Sequence, residues 1–384
     1  MRLLRSAAIY GPNASGKSNF LKAYDVMRSI IVDSSKSQRG DKLPVVPHLF
    51  DVASSDQPSE FEITFISDGV RYQYGFSANK DRIIEEWLFA YPKGRSQRWF
   101  SREYNRESND YETTYSERLL GQKQLWIEAT RENSLLLATA VQLNSRQLAP
   151  VFDWFDNKAT LIGYREGFSH YTASLCSSDE APRKVVLSFL KQADLYIKDL
   201  HVTEKKYDLA KFPKDLPEEF KNEFLNRSFF DVKLSHEVVG GEDVYIDLND
   251  ESDGTQKFFS LIGPLMETFA SGGVLFADEL NYNLHPNMLK FLVSLFHDTT
   301  LNSSGAQLIF STHDTAILDQ KNLRRDQVWF VDKKKDHSTK LYPLTDFSPR
   351  KDREDLSKNY LLGRYGALPY FKSIVTAMGD GSGK

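Results

Sequence analysis

The segment Gly11-Pro12-Asn13-Ala14-Ser15-Gly16-Lys17-Ser18 decides the fold of this chain. It follows an apolar, strand-like stretch from Leu3 to Tyr10 and precedes a stretch from Asn19 to Ile31 whose apolar residues recur at helical spacing. The pattern G-x-x-x-x-G-K-[ST] between a strand and a helix is typical of a phosphate-binding P-loop, also called Walker A. The sequence therefore predicts strand, phosphate loop and helix, which is the start of an α/β fold.

The residue types of this loop suit a bound triphosphate. Gly11 and Gly16 allow the backbone to turn its N–H groups inward, and the N-terminus of the following helix carries about half a positive charge. We expect Lys17 to reach the β- and γ-phosphates and Ser18 Oγ to bind Mg²⁺, with Asn19 completing the nucleotide-binding set. A glycine-rich turn with an incidental lysine is the alternative, and the placement between strand and helix disfavours it.

A second candidate segment is the run Gly273-Val274-Leu275-Phe276-Ala277-Asp278-Glu279-Leu280, an apolar strand that ends in two adjacent carboxylates. Such a run is typical of a Walker B strand. We expect Asp278 to bind Mg²⁺ and Glu279 to polarise a water for attack on the γ-phosphate. Solvated acids at a strand end are the alternative, and the P-loop upstream favours the Walker B interpretation.

Shortly before that strand, the run Ser252-Asp253-Gly254-Thr255-Gln256-Lys257 opens a helix. It resembles the ABC signature. Ser252 and the N–H groups of Gly254 and Thr255 are expected to form a second anion cradle, suited to the γ-phosphate of ATP held by another copy of the chain. The run is also an ordinary N-capping sequence, so only its order and spacing favour the signature.

The run Leu308-Ile309-Phe310-Ser311-Thr312-His313-Asp314 reads as a strand that ends in Ser-Thr-His. His313 fits a switch histidine that contacts the γ-phosphate. A single histidine after a strand is more often structural, so the assignment depends on its position after Glu279.

Two further assignments depend on position alone. The stretch from Asn281 to Pro286 is expected to be a loop across a dimer interface, with His285 as a simple turn residue in the alternative. A glutamine that senses nucleotide is expected at the entry to a helical region. Gln142 is the best candidate, and Gln122 and Gln124 are its rivals.

Composition narrows the class of protein. The formal net charge of −4 argues against wholesale electrostatic binding of nucleic acid, although a local basic groove would still allow it. The single cysteine, Cys176, excludes an intrachain disulfide and a Cys-based zinc site, and it fits a reducing cytoplasm. No apolar run approaches the ~20 residues that a membrane-spanning helix needs. We therefore expect a cytoplasmic protein without membrane contact.

The chain of 384 residues is long enough for two or three domains, or for one domain with an insertion. Alternating strands are predicted between Phe61 and Tyr91, and helical periodicity between Gln122 and Phe155 and again from Arg183 to Ile197. We expect 1–105 to be the N-terminal part of an ATPase head, 106–228 a mainly helical insertion and 229–384 the C-terminal part. Within the insertion, Lys211 to Phe224 is predicted to be a surface hairpin or loop.

With Walker A, signature, Walker B and switch histidine in this order, the chain resembles ABC-type heads of the SMC, DNA-repair and OLD group. It is more specifically similar to bacterial abortive-infection ATPases of the AbiLi and RloA kind, including the ATPase subunit of PARIS-type anti-phage systems. The stretches that carry this resemblance are 7–19, 59–61, 71–76, 86–88, 278–280, 284–286 and 360–369.

The resemblance implies a fold, a cofactor set and partners. The fold is an α/β P-loop NTPase head, with a mixed central sheet, flanking helices and an antiparallel β subdomain. ATP and Mg²⁺ would be bound between two copies of the chain, and an effector such as a TOPRIM-like nuclease would be the partner in phage defence. Such heads also carry one or two strands ahead of the P-loop strand, whereas this chain starts almost at that strand, which leaves adenine stacking unassigned.

Three functional hypotheses follow. The first is an ATPase switch that controls a partner effector. The second is a DNA-repair or DNA-clamping head, which predicts hydrolysis stimulated by DNA. The third is a nucleotide-gated scaffold with negligible turnover. No constellation typical of a metal-dependent nuclease stands out in the sequence, so intrinsic cleavage of nucleic acid is not predicted.

Overall fold

The computed structural model describes residues 3–163, 168–193, 196–206, 228–350 and 354–369. Contacts divide the chain into two units, each assembled from distant segments. The P-loop unit comprises Ala8–Asn157 and Leu318–Lys384, and the Walker B unit comprises Met1–Ala7 and Lys158–Ile317.

The described residues contain both consecutive strands and strands separated by helices. The strands are β1 (Ser6–Tyr10), β2 (Ser59–Ser67), β3 (Val70–Ala78), β4 (Ile83–Tyr91), β5 (Gln97–Asn105), β6 (Asp110–Tyr115), β7 (Ala159–Ile162), β8 (Ile197–Lys206), β9 (Ser228–His236), β10 (Val244–Asp247), β11 (Val274–Ala277), β12 (Gln307–Ser311), β13 (Val328–Lys333) and β14 (Thr339–Pro343). The α-helices are α1 (Lys17–Asp33), α2 (Val52–Ser55), α3 (Lys123–Ala129), α4 (Leu136–Gln142), α5 (Ala149–Asn157), α6 (Ser169–Ser178), α7 (Glu180–Gln192), α8 (Asp253–Ser271), α9 (Pro286–His297) and α10 (Leu356–Leu361).

In the P-loop unit, β2 to β6 form a five-stranded antiparallel sheet in sequence order. The end of β1 pairs in parallel with β13, with Ala8 opposite Val328, and β13 pairs antiparallel with β14. Helix α1 buries one face, on which apolar residues recur every three or four positions, as an amphipathic helix requires. Phe65 of β2 stacks on Trp154 of α5 with ring centroids 4.4 Å apart. Trp154 is therefore part of the core of this unit.

In the Walker B unit, β7, β11 and β12 run parallel, with β11 in the middle. The chain entering β1 lies next to β12, because Leu308 N donates to Arg5 O at 2.9 Å. Strands β8, β9 and β10 form a separate antiparallel sheet. Helix α8 packs closely on α6, since Gly263 N donates to Thr172 Oγ1 at 3.1 Å and a Cβ at this glycine would lie 2.7 Å from that oxygen.

Most of the predicted elements are confirmed. The predicted fold class, an α/β P-loop head with a mixed sheet and an antiparallel β part, is present. The predicted helix from Arg183 to Ile197 is wrong at its end, because α7 stops at Gln192 and Ile197 already opens β8. Tyr196, with φ of 52°, turns the chain into this strand, which then pairs along β9.

Two other expectations remain predictions. The hairpin or loop predicted at 211–224 lies outside the described residues. The division of the chain at residues 105 and 228 also stays a prediction, and the described part of 106–228 holds helices α3 to α7 as well as strands β6, β7 and β8. Within the residues that the structure describes, no helix combines the length and apolar character needed to cross a bilayer.

A buried carboxylate joins the antiparallel sheet to helix α4. Glu86 on β4 is fully buried and accepts hydrogen bonds from Leu136 N at 2.6 Å and Leu137 N at 2.9 Å, two backbone groups at the start of α4. Tyr74 Oη donates a third bond at 3.0 Å. Burial raises the pKa of Glu86, while the charge of Arg102 and these three hydrogen bonds act in the opposite direction.

Arg102 lies opposite Glu86 on the neighbouring strand β5. Its guanidinium donates to Ser134 O at 2.9 Å and Arg131 O at 3.1 Å, in the chain that leads into α4. Arg102 and Glu86 are thus buried residues of opposite charge, and each forms hydrogen bonds with the backbone of residues 131–137. Because an unpaired buried charge is expensive, each partner needs the other.

The change Glu86→Ala is expected to lower the free energy of unfolding by about 3–5 kcal/mol, because it leaves the charge of Arg102 buried without its partner. The measurement is the midpoint of thermal or urea unfolding. Glu85→Ala is the matched control, since Glu85 is adjacent and exposed. Equal midpoints for the two variants would show that the pair does not stabilise this unit.

Candidate functional site

The backbone of the P-loop takes an unusual course. Ala14 has φ of 61° and Gly16 has φ of 107°, so left-handed residues flank Ser15 before helix α1 begins at Lys17. Alternation of this kind turns successive N–H groups toward one side and makes a concave anion-binding site. The helix dipole of α1 adds positive potential at the same place.

The hairpin of β13 and β14 supports this loop from within the same unit. Thr339 Oγ1, on β14, donates to Ser15 O at 2.9 Å. A Cβ at Gly16 would lie 2.0 Å from the same Thr339 oxygen, and a Cβ at Gly11 would lie 2.5 Å from Val331 O. Both glycines are therefore required by close packing, and Gly16 is required by its φ as well. No local pattern predicts this role for Thr339, because Thr339 is far from the loop in sequence.

Lys17 closes the loop on itself. Its Nζ donates to Gly11 O at 2.8 Å and Pro12 O at 3.1 Å, and the side chain is almost fully buried. Ser15 Oγ is buried and has no hydrogen-bond partner among the described residues. An ammonium group and an unsatisfied hydroxyl in one nest of N–H groups suit a bound phosphate.

The remaining candidates of this unit lie on helices. Ser18 and Asn19 follow Lys17 in the first turn of α1, with Ser18 half-buried and Asn19 exposed. Gln142 is the last residue of α4 and is exposed. Its rival Gln124 donates from Nε2 to Glu128 Oε1 at 2.8 Å on the same helix face, and Gln122 is exposed. The sensor role of Gln142 stays a prediction.

In the Walker B unit, Ser311 contacts the carboxylate of Asp278 and the backbone of Glu279. Its hydroxyl donates to Asp278 Oδ1 at 2.6 Å and accepts from Glu279 N at 2.8 Å. The contact exists because β11 and β12 are neighbours in parallel register, with Ala277 opposite Phe310, so their ends meet. This role of Ser311 was not predicted, although its position at the end of a predicted strand was an available signal.

Glu279 adopts a left-handed conformation with φ of 47°. For a residue other than glycine this costs roughly 1–3 kcal/mol, and it persists only where surrounding bonds hold it. The result is that two consecutive carboxylates differ in environment. Asp278 is 8% exposed, whereas the Glu279 side chain is 32% exposed. One carboxylate is sheltered and the other is open to water.

His313 lies beside Glu279, and its role as a switch histidine stays a prediction. Its Nε2 is 3.9 Å from Glu279 Oε1. Asn281 holds this segment, because its Oδ1 accepts from Thr312 Oγ1 at 2.9 Å and from His313 N at 3.2 Å. Asn281 was expected only as part of a loop, so its anchoring role was missed.

The structure shows Ser252 as the N-cap of helix α8. Its Oγ accepts from Thr255 N at 3.2 Å and lies 2.8 Å from Thr255 Oγ1. The capping alternative is thus present, and the Thr255 N–H expected to face an anion is bonded to Ser252. A Cβ at Gly254 would lie 3.1 Å from Asn283 O, which places the loop after the Walker B strand against this helix start. A signature role for Ser252, Gly254 and Thr255 stays a prediction.

The predicted loop from Asn281 to Pro286 leads into helix α9. His285 is the N-cap of this helix, and its Nδ1 accepts from Asn287 N at 3.2 Å. His285 thus caps a helix, and the position of this loop across a dimer interface stays a prediction. Asn283, with φ of 58°, bends the loop back toward α8.

Several solved structures are similar to this chain. The SMC head domain from Thermotoga maritima is 12% identical, with 88% of this chain and 89% of that chain covered and a TM-score of 0.38. The recombination mediator protein RecF is 14% identical, with 89% and 93% covered and a TM-score of 0.30. The protein cbiO1 from Clostridium perfringens is 12% identical, with 58% and 68% covered and a TM-score of 0.27.

No curated protein matches the chain. One protein family does, and its description is "AAA domain, putative AbiEii toxin, Type IV TA system". The match runs over residues 6–319 and includes the P-loop, the Walker B strand and His313. Because this range covers most of the 384 residues, the chain belongs to this AAA-domain family.

Proposed function

We propose that this chain hydrolyses ATP in the presence of Mg²⁺ and acts as a nucleotide-driven switch. The observation that carries the proposal is the arrangement around Ser311, which directs a sheltered Asp278 and a solvent-accessible Glu279 from one strand end. The P-loop, with its left-handed backbone and buried Lys17, supports the same activity.

The residues fit the nucleotide and the ion. Lys17, the Gly11–Ser18 backbone and Asn19 are assigned to the phosphates. Asp278 and Ser18 Oγ are assigned to Mg²⁺, which in proteins commonly takes one or two carboxylates together with phosphate oxygens and water. When bound, Mg²⁺ neutralises charge on the phosphate oxygens.

The chain's own residues would then divide the reaction between them. Glu279 orients a water for in-line attack on the γ-phosphate and accepts its proton, which suits a carboxylate open to solvent. His313, next to Glu279, contacts the γ-phosphate as a sensor of its presence. Ser311 and Asn281 are positioning residues, since each holds one of these two groups through a hydrogen bond.

Self-association completes the proposed cycle. Two copies would close over ATP, with Ser252 and Gly254 of one copy facing the γ-phosphate held by the other. The first turn of α8 supports this assignment, because it is the N-terminus of a 19-residue helix and favours an anion. Hydrolysis would then loosen the pair, so that ATP controls a partner by shifting a conformational population.

The change Glu279→Gln is expected to abolish turnover while ATP binding persists, because the amide cannot accept the proton of the attacking water. The measurements are phosphate release, ATP affinity and the mass of the particle by light scattering. With ATP and Mg²⁺, the variant should accumulate as dimers or larger oligomers. Lys17→Ala should lose both ATP binding and self-association.

Glu237→Gln serves as the control for this experiment, because Glu237 is an exposed acid elsewhere in the same unit. Turnover in Glu279→Gln equal to wild type would falsify the assignment. Wild-type hydrolysis that DNA stimulates strongly would favour the DNA-clamping alternative, and wild-type binding without turnover would favour the scaffold.

The change Ser311→Ala tests the positioning role separately. Loss of a residue that orients a metal ligand typically costs about 10–100-fold in activity, and we expect that loss in kcat with little change in KM. Ser294→Ala is the control, because Ser294 Oγ donates only to Phe291 O in its own helix at 2.7 Å. A lower unfolding midpoint with unchanged kcat would contradict the positioning role.

For the biological role, we propose the ATPase component of an anti-phage abortive-infection system that controls an effector such as a TOPRIM-like nuclease. The family description, which names a toxin and a toxin–antitoxin system, and the resemblance to AbiLi and RloA support this. Cells that carry the gene with its neighbours should plate phage poorly, and Lys17→Ala should restore plating. Unaltered protection in that variant would contradict nucleotide control.

A further inference from the structure

The five-stranded sheet β2–β6 has one face that packs against helices and one that meets solvent. On the packed face, Phe65 of β2 stacks on Trp154 of α5. Successive residues of a strand point to opposite faces, and on β2 the side chains of Glu60, Glu62 and Thr64 are exposed. The second face is therefore open to solvent, and we call it the open face.

The centre of the open face is occupied by large rings. Trp87 and Phe89 of β4 lie there, and both are half-buried. The indole of Trp87 crosses Gly75 of β3, since a Cβ at this glycine would lie 2.5 Å from Trp87 Cζ2. Its Nε1 donates to Glu62 Oε2, on β2, at 2.8 Å. An antiparallel sheet with one solvated face usually carries polar residues on that face, so two large rings at its centre point to a covering molecule.

Carboxylates lie together at one end of the open face. Glu85 on β4 lies directly opposite Glu103 on β5, and Glu103 lies directly opposite Glu112 on β6. All three are exposed, and none of them forms a salt bridge with a residue that the structure describes. Because like charges directly opposite each other destabilise a sheet, this end of the face favours a partner that supplies cations.

Cations lie at the other end of the open face. Arg98 on β5 lies opposite Phe89, is exposed and forms no salt bridge within the described part of the chain. Arg71 on β3 lies opposite Tyr91, and its guanidinium carbon is 3.8 Å from the centre of that ring. Tyr91 and Glu85 are at opposite ends of β4, so the basic and acidic ends are about 20 Å apart, with the two rings between them.

We propose that the open face binds the open face of a second copy of this chain, in the absence of nucleotide. A two-fold axis that crosses β4 between Trp87 and Phe89 reverses the strand direction of one copy relative to the other. The rings of the two copies then meet at the centre, and the acidic end of each copy lies over the basic end of the other. Packed sheets are about 10 Å apart, which glutamate and arginine side chains from both sides can span.

The size of the open face suits a dimer. Strands β2 to β5 have nine residues each and so span about 30 Å, and the five strands together are about 20 Å wide. The face therefore offers about 600 Å² per copy before the relief of its side chains is counted, against about 800 Å² per partner in a standard interface.

Charge separates a second copy from other occupants. Nucleic acid or an anionic membrane would be repelled by the row of carboxylates, and a partner of one sign would leave either the carboxylates or the arginines without a counter-charge. A second copy supplies both signs in the required order. The contact is separate from the ATP-driven self-association of the proposed function, and Lys17→Ala, which removes only the ATP-driven association, should keep it.

The test measures the mass of the full-length chain by sedimentation velocity without nucleotide, over a range of protein concentrations. The wild type is expected to form a dimer with twice the 44.1 kDa of one copy. Arg98→Glu should raise the Kd of the dimer about ten-fold, because two-fold symmetry repeats the altered contact. Lys22→Glu is the matched control, since Lys22 is an exposed cation on helix α1. Equal Kd values for these two variants overturn the proposal.

Exchange of the charges tests the arrangement of the two copies. The double change Arg71→Glu and Arg98→Glu reverses the basic end, and Glu103→Arg with Glu112→Arg reverses the acidic end, so each variant alone should be monomeric. An equimolar mixture should recover the dimer, which misfolded chains could not do. A mixture that stays monomeric overturns the proposal, as does a wild-type chain that is monomeric without nucleotide. If the wild type dimerises in this way but does not bind ATP, only the proposed function is overturned.

Discussion

The hydroxyl of Ser311 imposes the constraint on which the candidate catalytic arrangement depends. One oxygen accepts from the backbone of Glu279 and donates to the carboxylate of Asp278, so both residues are fixed at once. Consecutive residues at a regular strand end would leave Glu279 in an extended conformation. The bond to Ser311 instead helps to hold Glu279 in a left-handed conformation, and the two acids acquire different exposures. One serine therefore helps to give Asp278 the sheltered position of a metal ligand and Glu279 the accessible position of a base.

In the P-loop unit, the backbone conformation of the loop imposes a comparable constraint. Left-handed residues at Ala14 and Gly16 give the loop its concave shape, and this shape brings it so close to Thr339 that a side chain at Gly16 would clash. The β13–β14 hairpin therefore supports the phosphate cradle.

Hydrogen bonds from polar side chains to the backbone hold further segments of the two units in place. Glu86 and Arg102 bind the backbone at the start of α4, and Asn281 binds the backbone of His313. Each bond joins groups that are distant in sequence, and the bonds of Glu86 and Arg102 lie where water is excluded. Such bonds specify one arrangement, because a partly satisfied network in a low-dielectric interior is costly.

The sequence by itself determined the P-loop, the Walker B strand, the alternation of β2 to β4 and the helix α1, because their signals lie in contiguous residues whose backbone preferences are local. It also paired His313 with Glu279 through the order of motifs. Only the tertiary structure decided that Ser311, Asn281 and Thr339 hold the site, that Ser252 and His285 cap helices, and that the helical pattern after Arg183 ends at Gln192. These outcomes depend on which strands become neighbours and in which register they pair. Pairing between distant segments cannot be predicted from any single contiguous stretch of residues.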